Sequence, residues 1–594
     1  MQEVSKSWKD NQEKLLVDES FLKISLDISD PEALADASST DNGAIHISDS
    51  SQIVSVVDKD NIPYATLEQN MWVLDGNRHI IPETDYGNIG YIGNELSNSD
   101  CLFLKHPCIN IGFTKVHTNP IPAVTITWGD DYNEYARAFN VYVLKNGKVV
   151  NTASVTNNTS VTSIVMVEIV EYDEISIEIL EWCLPYHRAR IKDVFIGLNK
   201  VYGKTDVFSF KHSQSVDPLS TTLPKMNVDF SVSNIDNTYN PSNPDGLSKY
   251  LMERQEVKTK YGYKVSDKEI EWIDGGVFYL SEWDAPQNGR TANFVARDLL
   301  EFMSGLYYEG VYNPRGTSLY DLATHVLSTS ELPLNADGTV KWVIDESLRD
   351  IYTVSPLPID TRANCLQLIA NAGCCVIYPD RKGILRIEPI GTAESDYTIS
   401  EYNSFSKSNL TLSKPLKAVN VTTYQYLQEA DVTELYTGTL SISGTTDVMI
   451  TYSDMATNVE ATITGGTLED VKYYTNACLL KVTANGQVDI LVTGNCLSTA
   501  CVDTVIESGV TGEVITVDNV LITNNNRAAI VGRWVESYLR GRITIDSSWR
   551  ADPRLDALDI VNNVNEYNTN KVRITNLDYT YNGAFKGSAE GKVI

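Results

Sequence analysis

The residues best placed to do chemistry lie in one short run, Trp128-Gly129-Asp130-Asp131-Tyr132-Asn133-Glu134-Tyr135. Carboxylates at Asp130, Asp131 and Glu134 around a turn offer oxygen ligands of the kind calcium takes, or acceptors for a sugar. A solvated loop uses the same residue types with no ligand. Trp128 and Trp182 have large faces that suit the C–H groups of a sugar ring, and the same faces suit a core. Asp236, Asn237 and Asn240 around Tyr239 read as an Asx-rich turn and not as a ligand cage. The neighbours Cys374 and Cys375 raise a redox or metal reading, set against two buried thiols. The nine cysteines, at 101, 108, 183, 365, 374, 375, 478, 496 and 501, contain no C-x-x-C pair, and the seven histidines are dispersed, so zinc spacing is absent. Cys496 and Cys501 could pair across a loop. No G-x-S-x-G elbow, H-E-x-x-H or phosphate-binding loop occurs. In a chain with 78 acidic residues, carboxylate pairs can be drawn almost anywhere, so a glycosidase reading needs geometry. The sequence assigns no catalytic, metal-binding or cofactor-binding residue; it implies no cofactor and no enzyme, and it leaves any ligand-binding residues open.

The elements that would position these residues are mostly strands. The chain has 594 residues, room for three to five domains, and is 42% apolar and 21% charged, a globular balance. Tyr outnumbers Phe 32 to 13, which suits half-buried sheets. A formal charge of −30 opposes a tight grip on phosphate backbones. It is compatible with a like-charged conduit through which DNA slides, and equally with plain colloidal solubility. The N-terminus lacks the apolar core of a signal peptide, and no run reaches the ~18 apolar residues of a membrane span, so synthesis in a cytoplasm and no stable membrane insertion are expected.

Along the chain, residues 1–20 read as a polar helix or arm, Phe21 to Ile28 as a strand, and Ser29 to Asn42 as a linker. Residues 33–199 hold short alternating strands, with a hairpin at Asn146-Gly147, and predict a β-sandwich. Residues 200–305 continue in strands, with a hairpin through Pro286-Gln287-Asn288-Gly289 and a helix from Asp298 to Leu306 capped by Asp298. Helices are predicted at Ser318 to Leu327, with His325 off the apolar stripe and solvated, and at Arg362 to Ala372, ended by Gly373. The Cys374-Cys375 pair then falls on a strand running to Tyr378, turning at Asp380-Arg381-Lys382-Gly383. Ala430 to about Val520 reads as an inserted domain of many short strands, Arg527 to Arg540 as a helix, and the end as a hairpin at Asn582-Gly583.

Two resemblances overlie this reading. The runs ITWGDDYNEYARAFNVYVLKNGKVV and EISIEILEWCLPYHRARIKDVFIGL are similar to the galactose-binding-like, or discoidin-like, jelly-roll over roughly residues 50–199. LSTTLPKMNVDFSVSN, GGVFYLSEWDAPQNGRTANFVARDLL, GCCVIYPDRKGILRIEP, WRADPRLDALDIV and YTYNGAFKGSAEGKV, in that order from residue 200 onward, resemble the baseplate hub and tail-tip proteins of tailed phages, of the late-control type. SKSWKDNQEKLLVDESFLKISLDI resembles the opening arm and first strand of such hubs. The implied fold is mainly β and multidomain. Residues 1–32 are the arm and first hub strand, 33–199 the jelly-roll, 200–305 a first tail-tube-like barrel, and 306–395 an α/β domain. Residues 396–594 are a second barrel with a β-rich insertion at about 430–520. The implied function is structural: a hub in the virion tail, joining the tail tube to host-facing parts and lining the conduit. The implied partners are two further copies in a homotrimer, tail tube and distal tail proteins, other baseplate or fibre proteins, and DNA only as passing cargo. The jelly-roll would contact a host cell-surface glycan or its baseplate neighbours. A glycan-binding adhesin on a stalk is the alternative.

Overall fold

The computed structural model describes residues 1–12, 14, 19–45, 48, 50–54, 64–65, 68, 79–80, 90–129, 132–266, 269–286, 289–335 and 338–594. Gln287 and Asn288 of the expected hairpin, and Asp130 and Asp131, lie outside them. The protein is mainly β, with several sheets and separate apolar cores.

Among the described residues the largest sheet has 13 strands. It opens with Ser20–Ser29, whose alternating Leu22, Ile24 and Leu26 are buried. That strand pairs with Gly197–Tyr202 on one side and Glu256–Ser266 on the other, so the residues between them in sequence leave the sheet and return to it. Glu269–Asp284, Thr291–Arg297, Lys225–Ser233 and Val207–Ser215 complete one half. The other half is Thr569–Tyr581, Phe585–Val593, Ile543–Arg550 and Asn409–Leu412, with Ile560–Val564 and Glu394–Ile399 branching from the first of these. The two β units expected over 200–305 and 396–594 are thus halves of one sheet around a shared core. Tyr261 of the first half meets Phe585 of the second edge-on at 5.1 Å. The N-terminal helix Lys6–Gln12 adds Trp8, edge-on to Tyr263 at 4.8 Å.

Between the first strand and Gly197 sits a two-sheet β-sandwich. Ser38–Asp41, Cys108–His117, Tyr172–Trp182, Ala136–Lys145 and Lys148–Val155 form five strands; Thr162–Ile169, Ile121–Thr127 and Asp193–Phe195 form three. Asn146 and Gly147 both have positive φ, as a tight hairpin turn demands. The expected linker at 29–42 is instead ordered structure. Asp30 caps the helix Pro31–Asp36 through Glu32 N and Ala33 N, and Ser38–Asp41 is a sheet strand.

A third core gathers helices Leu319–Ser328, Arg362–Ala372 and Asn525–Leu539. The helix expected from Asp298 is a short 3-10 turn, Leu299–Met303, with Asp298 capping it as expected. Gly373 does not take the left-handed position that ends the second helix. Its φ is −80°, and the positive φ falls on Cys374. Gly373 answers to space instead, since a Cβ there would stand 2.4 Å from Leu348 Cδ2. The strand begins only at Val376, so the cysteine pair precedes it.

The insertion also differs from expectation. It is dominated by two long strands, Leu416–Thr451 and Ala477–Glu507, paired along their length. Thr451 lies beside Ala477, yet Ala456 lies beside Cys496. Five residues reach at most about 18 Å, whereas Ala477 to Cys496 would span about 60 Å if straight. The ribbon therefore folds over, at Gly444 and Gly486, which are across from Ala484 and Ile442 and both have positive φ. Doubling back closes a small core of Leu435, Ile442, Leu480, Val482, Val488 and Ile490.

Candidate functional site: the junction between the half-sheets

The halves join where Val207–Ser215 pairs with Thr569–Tyr581, from Phe210 opposite Tyr581 to Ser215 opposite Asn576. Backbone pairing alone leaves such a seam free to twist. A guanidinium fixes it. Asp380 Oδ1 accepts from Lys382 N (2.9 Å) and Ile384 N (3.0 Å), and Gly383 supplies a positive φ, so the turn projects Arg381 away from its own hairpin. Arg381 Nε donates to Asp556 Oδ1 at 2.6 Å and Nη1 to the Asp274 carbonyl at 2.8 Å. Nη2 donates to the carbonyls of Pro553 and Leu555, both at 2.7 Å. One planar fork thereby ties together a strand of the first half, the turn that carries Arg381 and the segment between Ile543–Arg550 and Ile560–Val564 of the second half. Burial opposes the charge on Arg381, but Asp556 outweighs it, with the Tyr579 and Tyr261 hydroxyls helping, and the group stays firmly protonated.

The rest of WRADPRLDALDIV turns inward around this point. Trp549 and Asp552 are buried, and Asp552 Oδ2 accepts from Arg554 Nε at 2.7 Å. Tyr579 donates to the carbonyls of Asp552 (3.0 Å) and Leu555 (2.8 Å). Gln214, on the seam strand, donates to Asp556 Oδ1 at 3.1 Å and accepts from Ala557 N at 2.8 Å. His212, also on the seam, is fully buried with Nδ1 2.7 Å from the Tyr261 hydroxyl. Burial and then the Arg381 charge pull its pKa down to about 3, so the imidazole is neutral. A cavity of about 330 Å³ adjoins the junction, lined in part by His212, Asp298, Tyr378, Glu388, Arg381 and Asp559. Burial raises the Asp298 carboxyl to about 6 against the hydrogen bonds from Leu300 N and Met226 N.

The residues that sequence put forward fall elsewhere. Trp128 and Trp182 are fully buried, edge-on to one another at 6.2 Å, so neither has a face free to stack on a sugar. Their indoles donate to Ser163 Oγ (2.8 Å) and Glu134 Oε2 (2.7 Å). Glu134 is turned into the sandwich, 3.0 Å from His187 Nδ1 and 3.3 Å from Arg190, which also binds Glu68. Burial pushes its carboxyl up, but His187, Arg190 and the Trp182 N–H outweigh it and hold it below the usual range. Tyr132 lies under the Arg190 guanidinium, and Tyr135 packs on the sandwich core. Asn234 Oδ1 and Asp236 Oδ1 accept from Tyr239 N (2.9 Å) and Thr238 N (3.2 Å), Asn240 Oδ1 accepts from Ser242 N (2.9 Å), and Asn237 has positive φ: a turn. Cys374 Sγ accepts from Arg527 Nη2 at 3.2 Å, and burial pushes the Cys375 thiol to about 12. Cys496 and Cys501 are free and lie five residues apart on one strand, about 16 Å, too far for a disulfide. His325 is half-exposed but not merely solvated, with Nδ1 2.9 Å from the Tyr307 hydroxyl and Nε2 3.4 Å from Glu309. Among the described residues no cluster of three or more His, Cys, Asp or Glu could hold a metal, and no helix is long and apolar enough to cross a membrane.

Arg381 and His212 were the residues sequence reading missed. A partial signal for Arg381 existed: it is one of two basic residues, with Lys382, at the tip of a hairpin whose strands, Val376–Pro379 and Leu385–Glu388, are apolar on alternate positions.

No family model matches the chain, and no curated protein matches it. Among solved structures, the chain is similar to the 43 kDa tail protein of prophage MuSo2 from Shewanella oneidensis, at 10% identity and a TM-score of 0.37, over 66% of this chain and 95% of that one. It is similar to the tail protein from Neisseria meningitidis MC58, at 8% identity and a TM-score of 0.38, over 66% and 93%. It is also similar to prophage tail protein gp18 from Listeria monocytogenes EGD-e, at 10% identity and a TM-score of 0.37, over 66% and 91%. Likeness at this level carries no inference about function by itself.

Proposed function

We propose that the chain is a structural component of a phage or phage-derived tail: a baseplate hub or tail-tip protein whose double half-sheet forms one segment of a hollow homotrimeric collar between the tail tube and host-facing parts. The observation that carries this reading is the position of the motifs. The stretches that resemble the hub family, around Arg381 and from Trp549 to Asp559, meet at the joint between the half-sheets, where a collar segment must be stiff. Among the described residues three strands of the sheet pair on one side only: Gly197–Tyr202 and Asn409–Leu412 at its two ends, and Glu394–Ile399 on the side branch. Leu410 and Leu412 on Asn409–Leu412 are 47% and 65% exposed. Open strand edges of this kind are covered in working proteins, and a cyclic ring covers both ends at once. The sandwich is the contact module of the collar, for a host glycan or for baseplate neighbours. No turnover of a substrate belongs to this role.

The test is mass photometry and electron microscopy of the full chain. A three-fold ring with an axial channel is expected, and Thr411→Pro, at the open edge, should shift it to monomer while far-UV circular dichroism stays the same. A wild-type monomer without a channel at micromolar concentration overturns the reading.

A further inference from the structure

The outer face of the five-stranded sandwich sheet has an unusual composition. Ile109, Ile111, Val141, Val143, Ile175 and Ile177 point inward and are buried, so the residues between them face out. The strand register sets those outward residues in rows. One row crosses all five strands as Thr40, Asn110, Ser176, Tyr142 and Thr152. The next row crosses four as Cys108, Glu178, Asn140 and Ser154. Solvated sheet faces ordinarily carry Lys and Glu among Thr. These rows hold amides and hydroxyls, the Cys108 thiol, no basic residue and one carboxylate, in a chain of net charge −30.

The side chains are also held in place. Tyr142 donates to Glu178 Oε2 at 2.8 Å, and Asn140 Nδ2 donates to the same oxygen at 3.1 Å. His106 Nδ1 lies 2.7 Å from Glu178 Oε1. Ser154 donates to Asn140 Oδ1 at 2.8 Å, and Ser176 to Asn110 Oδ1 at 2.7 Å. Burial raises the Glu178 carboxyl, but these partners outweigh it and keep it ionised. At the border, Arg137 is engaged by Glu181 at 2.7 Å and Lys145 by Glu171 at 2.8 Å. Beside the first row, a Cβ on Gly112 would meet nothing within 4 Å, so the surface there is open.

We propose that this face binds a neutral polyhydroxylated chain, a glycan without acidic groups. Each hydroxyl of such a ligand donates and accepts, and the amides and hydroxyls of the rows do both in return, with rotamers fixed before contact. Five strands at about 4.8 Å spacing give a track of about 19 Å, long enough for a short oligosaccharide. Among the described residues of these two rows, a nucleic acid or acidic polysaccharide finds no free cation and a protein partner finds no large apolar anchor beyond Tyr142, the exposed Val149 and Val150 lying at the sheet's edge. This deepens the reading of the sandwich as the contact module of the collar, and rests on it.

The test uses the full chain against a printed panel of neutral hexose, deoxyhexose and N-acetylhexosamine oligosaccharides, followed by calorimetry with the strongest binder. We expect Tyr142→Ala and Ser154→Lys each to weaken binding at least tenfold. Met166→Ser, on the exposed face of the other sheet, should leave it unchanged. Ring mass should match wild type in all three, and each should remain folded well above the assay temperature, Tyr142→Ala melting a few degrees below wild type. Absence of binding to every neutral oligosaccharide at millimolar concentration overturns the proposal, as does binding that both face variants leave intact or binding only to acidic glycans. Ring mass is read separately, so loss of the collar and loss of the glycan site are distinguishable.

Discussion

Two polar networks, each centred on one charged side chain, sit at opposite ends of a scale. Arg381, with its side chain 8% exposed, draws partners from 107 to 175 residues away. Glu178, 27% exposed, draws them from 36 to 72 residues away, from a neighbouring strand and from His106 just ahead of another. The difference is one of what happens on breakage. A partner of Glu178 that loses its bond has water to turn to. Around Arg381 the carbonyls of Pro553 and Leu555 have less, because packed segments close over them, while Asp556 keeps 29% of its side chain in contact with water. A buried charge with distant partners therefore acts as a clamp, and a part-exposed network of nearby groups acts as a surface. The sharpest way to break that comparison is Arg381→Ala. Removing one member of a fully buried pair typically costs about 3–5 kcal/mol; Asp556 retains some water, so chemical denaturation should show a loss toward the lower end of that range. Arg381→Lys should recover little of it, since an ammonium cannot reproduce the planar fork.

The clamp also has a pH signature made of two opposed parts. His212 has a folded pKa of about 3, below its ordinary value, so the unfolded chain binds the proton first. Its stabilising contribution is complete above about pH 6.5 and is lost as pH falls toward 3, about 3 kcal/mol between pH 7 and 4. Asp298 runs the other way. Its folded pKa of about 6 lies above the ordinary carboxylate value, so its favourable contribution is complete below about pH 4 and is lost as pH rises through 6. In the wild type the two partly cancel between pH 4 and 6.5. Single variants should separate them. His212→Gln should flatten the fall in stability on acidification, and Asp298→Asn should compare better with wild type at pH 8 than at pH 4, by about 2–3 kcal/mol. Urea titrations at pH 4, 6 and 8 measure both.

The sheet half of this picture was largely legible from residues. Alternation marked the strand from Phe21 to Ile28, which the structure extends to Ser20–Ser29, and cap chemistry put Asp298 at the start of its turn. What alternation cannot convey is where a strand ends when its partner continues. The insertion read as many short strands because Gly444, Gly486 and the bulges between Gln428 and Val432 interrupt the pattern, while the pairing runs through them. Gly373 misled for a related reason: a glycine after a helix signals a left-handed cap or a close neighbour, and only the position of Leu348 decides. The candidate site was the least legible part. Trp128, Trp182 and Glu134 look like surface chemistry in a list of residues, and cross-strand packing takes all three inside. The Arg381 fork depends on segments more than 100 residues apart, and no local spacing encodes it.

The smallest expected effect sharpens the comparison from the other side. Tyr142→Phe removes the hydroxyl that donates to Glu178 but keeps the ring, and Asn140 and His106 remain on that carboxylate. A lost hydrogen bond of this kind, with solvent available to both groups, is worth about 1 kcal/mol or less. The melting temperature should therefore move by no more than a few degrees, well below the effect at Arg381. Glu178→Gln should be similarly mild, since an amide still accepts from Tyr142. If either variant instead destabilised the chain as severely as Arg381→Ala, the face would be a second clamp and not a surface. Its fixed side chains would then be serving the sandwich alone, with nothing held ready for a ligand.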